Sequence, residues 1–222
     1  MKPGRRKLRR SRALLVGALA LLVALAAGCL RYEPSPGNVA LTFDDGPHPQ
    51  WTPQILDVLD FVGVPATFFV VGDEVERYPE LVAEMQRRGH SVQNHSATHP
   101  DLTTLSDAAV RQELRSTTDA IVAAGADAPV CLRPPYGSYD QRITSLAEAE
   151  GLEMLLWDVD TRDWAQPGVP AIVDAATRAG DQDIILLHDG SGDRSQTLAA
   201  LAEIIVELDA MGYGFEPICV AP

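Results

Sequence analysis

Residues 39–49 read Val-Ala-Leu-Thr-Phe-Asp-Asp-Gly-Pro-His-Pro: an apolar run, two adjacent carboxylates, then residues that stop a strand. The run reads as a buried β-strand. Working outward, six more apolar runs follow: Thr67 to Val71, His90 to Gln93, Val130 to Leu132, Glu153 to Trp157, Asp183 to Leu187 and Phe215 to Val220. Between them lie stretches with helical punctuation. Thr52-Pro53 opens one with Ile55, Leu56, Leu59 and Val62 on one face, and Pro79 opens another that closes at Gly89. Ser106 can cap a long helix ending near Gly125, and Leu198, Leu201, Ile205 and Leu208 recur at helical spacing before Gly212. Strands alternating with helices predict an α/β domain with parallel strands. A barrel and an open doubly wound sheet both satisfy the pattern, and in either one function is expected where strands end and loops begin.

The 222 residues suffice for one catalytic domain once the N-terminus is set aside. MKPGRRKLRRSR carries every lysine and is followed by ALLVGALALLVALAAGC, an export signal in layout. The expected organisation is a signal at 1–29, a short tether at 30–37 and a catalytic domain at 38–222. LAAGC delivers Cys29 for acylation as in a lipoprotein; cleavage after Ala24-Leu25-Ala26 and an uncleaved anchor are the alternatives. All three place the domain outside the cytoplasmic membrane, either secreted or anchored to the membrane at the cell surface. Of 18 basic residues, 7 precede Cys29 and none of the 31 acidic ones does, so the remainder carries 11 − 31 = −20 charges and no lysine. That excludes a nucleic-acid partner. Cys131 and Cys219 are left as a pair, either free and buried or joined in an oxidising compartment.

The residues just after the apolar runs are uniform in chemistry. Asp44-Asp45 end the first, Asn94 to Pro100 the third, Arg133-Pro134-Pro135-Tyr136-Gly137 the fourth, Asp158 to Trp164 the fifth, and His188-Asp189-Gly190 the sixth. One strand-end aspartate is commonly a turn residue or cap; five such ends are a constellation. His95 and His99, four residues apart, can aim at one ion, and a carboxylate from another strand completes a three-ligand divalent site with open positions. Asp45, His95 and His99 as ligands would let the ion lower the pKa of a water and polarise a carbonyl. Asp44 is then free to take a proton. The metal and the Arg133 guanidinium are the counter-charges that keep two adjacent carboxylates ionised. His188, at an apolar strand end, is placed to protonate a leaving group. His90 is expected to be structural, and His48 is open to either role. The chemistry these parts suit is metal-assisted hydrolysis.

With these residues assembled, the chain resembles the polysaccharide deacetylases of carbohydrate esterase family 4, the NodB homology domain. TFDDGP, HSATH, RPPYG, DTRDW and LLH stand in the family's order, from about Asn38 to the C-terminus. The resemblance implies a distorted (β/α)7 barrel, with Asp44 as base and Asp45, His95 and His99 as metal ligands. It implies that Arg133 orients the base, that the backbone N–H of Tyr136 holds the oxyanion, and that Asp163 orients the acid His188. Trp164 becomes a pocket wall and Leu186 the lining of the acetyl pocket. The metal expected is zinc, with cobalt, nickel or manganese as alternatives. The substrate expected is an N-acetylated glycan, with peptidoglycan favoured over chitin oligomers or acetylated xylan, and the protein is expected to be a monomer. A non-catalytic glycan-binding domain would lack the base or the acid, and both are present. A metallophosphatase or nuclease would want more metal ligands and a basic cleft.

Overall fold

The structure is a computed structural model that describes residues 37–220; the signal at 1–29 and all of the tether but Gly37 lie outside the described residues. The described residues form eight strands: β1 (Asn38–Asp44), β2 (Thr67–Val70), β3 (Ser91–Asn94), β4 (Cys131–Leu132), β5 (Glu153–Met154), β6 (Val159–Asp160), β7 (Ile184–His188) and β8 (Gly214–Phe215). The helices are α1 (Trp51–Val62), α2 (Gly72–Arg77), α3 (Pro79–Arg87), α4 (Asp107–Ala123), α5 (Gln141–Ala149), α6 (Val169–Ala176) and α7 (Ser195–Ala210). Among the described residues no helix is long and apolar enough to cross a membrane.

Strand order separates the two architectures that periodicity left open. The sheet runs β5-β4-β3-β2-β1-β7-β6, with every pair parallel. The first strand lies beside the seventh, which is cyclic order; β5 and β6 are the open edges. This is a distorted (β/α)7 barrel with its seam at β5 and β6. β8 extends it by pairing with Asn38 and Val39 at the start of β1.

β1 shows how the barrel divides its side chains. Val39, Leu41 and Phe43 join Ile55, Leu56 and Leu59 of α1 and Leu201, Ile204 and Leu208 of α7 in the main apolar core. The alternate residues, Thr42 and Asp44, both meet the side chain of Arg133. A smaller core gathers Val110 and Leu114 of α4 with Ile143 and Leu146 of α5. Cys131 and Cys219 form a disulfide closing 88 residues of chain, which ties the C-terminal segment to β4. A loop of that length contributes about 4.6 kcal/mol on the chain-entropy account.

Two expected strands differ from what forms. The fifth run gives only Glu153–Met154, because the Leu156 carbonyl turns to the Arg133 guanidinium (2.9 Å) instead of joining a ladder. A separate strand, Val159–Asp160, then begins against β7, so Thr161 to Trp164 follow β6 and not the fifth run. The last strand is Gly214–Phe215 and not Phe215 to Val220, since Pro217 has no N–H to give to a ladder. Helices α2, α5 and α6 are additional to those the sequence pattern predicts. The four predicted helices correspond to α1, α3, α4 and α7.

Candidate metal and catalytic site

At the C-terminal ends of the strands a cleft of about 450 Å³ is lined by Asp44, Asp45, His95, His99, Tyr136, Trp164, Leu186 and His188, together with Pro134, Gly137, Trp157 and Asp160. Arg133 and Asp163, the other two candidate residues, lie beneath it, 0% and 1% exposed.

The neighbouring carboxylates diverge because their backbones differ. Asp44 ends β1 in register with His188 of β7, whereas Asp45 has left the strand with φ +75°. Gly46 follows because nothing larger fits: a Cβ there would lie 2.2 Å from the Asp189 carboxylate. Asp44 Oδ1 accepts from Arg133 Nη1 at 2.7 Å. The buried guanidinium also donates to Thr42 Oγ1 (2.8 Å) and to the Leu156 carbonyl (2.9 Å), and lies 4.0 Å from the centre of the Phe69 ring. Burial pulls the Arg133 pKa down and the Asp44 charge works against that pull. A buried ion pair of this kind is tolerable only where hydrogen bonds accompany it, and three do here, with Nε left without a partner.

Asp45 Oδ1 lies 3.4 Å from His95 Nε2 and 3.2 Å from His99 Nε2. It is buried and makes no hydrogen bond, and the three ligand atoms fall within 4.8 Å of one another. Behind the cluster, His95 Nδ1 is 2.7 Å from the Arg133 carbonyl. A carbonyl only accepts, so Nδ1 carries a proton and Nε2 is the ring nitrogen turned towards Asp45. The His99 ring packs edge-on to Tyr136. Burial pushes the Asp45 carboxyl up, but the two imidazoles outweigh it and hold the group well below the usual carboxylate range. An orphaned carboxylate oxygen facing two ring nitrogens is a donor set that fits a divalent cation.

The opposite wall is built from β6, β7 and α7. Asp163 Oδ1 is 2.8 Å from His188 Nδ1, while Oδ2 accepts from the His188 backbone N–H (2.9 Å) and from Thr197 Oγ1 (2.7 Å). Burial lowers the His188 pKa; the bond to Asp163 and its charge, helped by Asp44 and Asp45, more than offset this and raise it above the ordinary histidine value. Leu186 and the half-exposed Trp164 complete this side. Tyr136 sits in a 3-10 turn at φ +62°, and its backbone N–H has no partner within the described residues. At Gly137 a Cβ would press on Trp157 at 2.8 Å.

The remaining histidines stay out of the cleft. His90 accepts from the Ala66 N–H and packs against Phe68, and burial lowers its pKa to about 4, which keeps it neutral. His48 stacks on Trp51. Asp189, present at the sixth strand end in the sequence but given no role there, is a fully buried carboxyl bonded to Thr52 Oγ1. Burial, then the charges of Asp45 and Asp44, push it up to about 7. Its place next to His188 was the available signal. Trp157 ends an apolar run in the sequence, and nothing in its spacing marks it for the cleft it lines.

Comparison with known proteins places this geometry in context. The family described as "Polysaccharide deacetylase" matches residues 31–155. A chitooligosaccharide deacetylase of Rhizobium leguminosarum bv. trifolii is 44% identical over 188 residues, covering 79% of this chain and 87% of the relative. A peptidoglycan-N-acetylglucosamine deacetylase of Bacillus cereus is 41% identical over 180 residues, covering 80% and 84%. Among solved structures, a family 4 carbohydrate esterase from Streptomyces lividans in complex with acetate superposes with a TM-score of 0.80 at 37% identity, covering 85% of this chain and all of that one.

Proposed function

This chain belongs to the polysaccharide deacetylase family, and from that footing we propose that it hydrolyses N-acetyl groups of peptidoglycan amino sugars outside the cytoplasmic membrane. The observation that carries the reading is the Asp45, His95 and His99 cluster beside a carboxylate already held by Arg133. A divalent cation there, zinc by the nature of two imidazoles and one carboxylate, would supply the charge that acidifies a water and polarises the amide carbonyl. The rest falls to the chain. Asp44 takes the water's proton, its Oδ1 pinned by Arg133 so that Oδ2 is the free oxygen. The Tyr136 N–H receives the oxyanion that forms as the water oxygen adds to the carbonyl. His188, oriented by Asp163, gives its proton to the amine as the C–N bond breaks, releasing acetate and the free amino sugar. Trp164, Tyr136 and Leu186 hold the sugar and its acetyl group.

Peptidoglycan is favoured by the B. cereus relative and by the signal-like N-terminus, which would leave a lipidated or anchored monomer beside the wall. A disulfide suits that compartment. A second reading, chitooligosaccharide as substrate, has the support of the R. leguminosarum relative at 44% identity. The test is acetate release by zinc-loaded protein from peptidoglycan, N-acetylglucosamine oligomers and acetylated xylan, with mass spectrometry of the mature N-terminus alongside. Release from peptidoglycan that chelation abolishes is the expected result. Release only from the oligomers would replace the substrate, and no release from any glycan with metal bound would end the enzymatic reading.

A further inference from the structure

The loop between the two histidines has an unusual backbone, with φ +66° at Ser96 and +57° at His99. Such a path holds only if its surroundings over-determine it, and here the contacts are complete. The Ser96 N–H donates to Asn94 Oδ1 (2.9 Å), and the His99 N–H to Ser96 Oγ (3.2 Å). The N–H groups of Gly72 and Asp73, opening α2, donate to the Ser96 and Ala97 carbonyls at 3.0 and 2.9 Å. Two N–H groups remain, those of Ala97 and Thr98. Both donate to Glu113 Oε2 at 2.8 Å, and the Thr98 hydroxyl donates to Oε1 at 2.9 Å.

Glu113 is separated from Ala97 by 16 positions in sequence and sits on the long helix α4. That helix is itself fixed to β3, since Asn94 Nδ2 donates to the Leu114 carbonyl (2.8 Å). We propose that Glu113 is a positioning residue for the metal site. One carboxylate takes three donors of the segment between His95 and His99, the Ala97 and Thr98 N–H groups and the Thr98 hydroxyl, so both Nε2 atoms converge on Asp45 without an ordering cost when the ion arrives. A charged acceptor suits the task, because it binds N–H groups more strongly than a neutral one. The inference rests on the reading of Asp45, His95 and His99 as a metal site.

Zinc titration of the metal-free protein, with Kd from calorimetry or chelator competition, separates the two claims. Glu113→Ala is expected to weaken zinc binding about 10–100-fold, the usual effect of removing a group that orients a ligand, while kcat at saturating zinc stays within about threefold. Glu113→Gln should recover most of the affinity, since one amide oxygen still accepts both N–H groups. Arg111→Ala is the control: it breaks the ion pair from α4 to Glu150 (2.7 Å) without touching the loop, and should leave the zinc Kd unchanged. Thr98→Val, which deletes only the hydroxyl bond, should cost a few-fold and serves if Glu113→Ala does not fold. Wild-type affinity in folded Glu113→Ala, or in Thr98→Val where it stands in, overturns the inference. So does an equal loss in Arg111→Ala, which would mean a merely loosened helix. A wild-type protein that binds no zinc would fail at the earlier step, the metal site itself.

Discussion

His95 and His188 sit on opposite walls of one cleft in matching poses: each gives its Nδ1–H to an oxygen behind it, at 2.7 and 2.8 Å, and leaves Nε2 as the atom free to act. The oxygens differ. Behind His95 is the neutral carbonyl of Arg133; behind His188 is the carboxylate of Asp163. Burial opposes charge on both rings, and in both it is overcome, but by different neighbours. At His95 the Asp44 and Asp45 carboxylates do it, the very groups that a cation at the site would engage. At His188 the first of them is Asp163, which lies away from the metal cluster. A bound cation therefore removes the reason for His95 to hold a proton and leaves the main reason for His188 in place. On the proposed mechanism, one side chain type serves as ligand on one wall and acid on the other because of what stands behind the ring.

The largest test of that division is Asp44→Asn. As the proposed base, its loss should lower kcat/KM by about 10³-fold, measured as acetate release, while zinc still binds at one equivalent. The same change leaves the buried Arg133 charge without its counter-ion, so a fall in Tm accompanies it. Loss of zinc in proportion to loss of activity would merge the roles of Asp44 and Asp45 that the proposal separates.

Next in size is Asp163→Asn, expected to cost about 10²-fold in kcat, and its pH signature tells more than its magnitude. The His188 pKa is raised in the fold, so activity that needs the imidazolium persists above the ordinary histidine range and falls as pH passes the raised value. Removing the Asp163 charge should move that falling limb to lower pH. Stability follows the same sign. The contribution is fully present below about 6.5 and is lost as pH rises through the folded value. Denaturation of the variant should thus show its larger deficit at acid pH. An unmoved limb would take the acid role from His188.

The ends of the strands were readable because their chemistry is carried by residue type: two carboxylates, two imidazoles at fixed spacing, a strand-end histidine. The order of the sheet was not, since alternating periodicity is shared by closed and open α/β architectures, and only the pairing of β1 with β7 decides between them. Short elements were lost for a physical reason. β6 is two residues long and α2 six, too short to show a period, and both are held by neighbours more than by local preference. The seam region misled most, because Leu155 to Trp157 look like strand yet give a carbonyl to Arg133 and an aromatic ring to the cleft. Glu113 and Thr197 were invisible for a related reason: each reads as an ordinary polar residue of a helix, and its partner lies far away in sequence.

Thr197 gives the finest test of the contrast between the walls. Its hydroxyl donates to Asp163 Oδ2 at 2.7 Å, so Asp163 accepts from three directions: the His188 ring, the His188 backbone and Thr197. Thr197→Val keeps the shape and removes one donor. The carboxylate then has less of its charge satisfied by others and should hold the imidazolium more strongly, moving the alkaline limb of activity up by a few tenths of a pH unit, with kcat within about threefold of wild type. Asp163→Asn moves the same limb the other way. A downward shift in Thr197→Val would mean that the hydroxyl matters chiefly for aiming the carboxylate, and that geometry, more than charge, distinguishes His188 from His95.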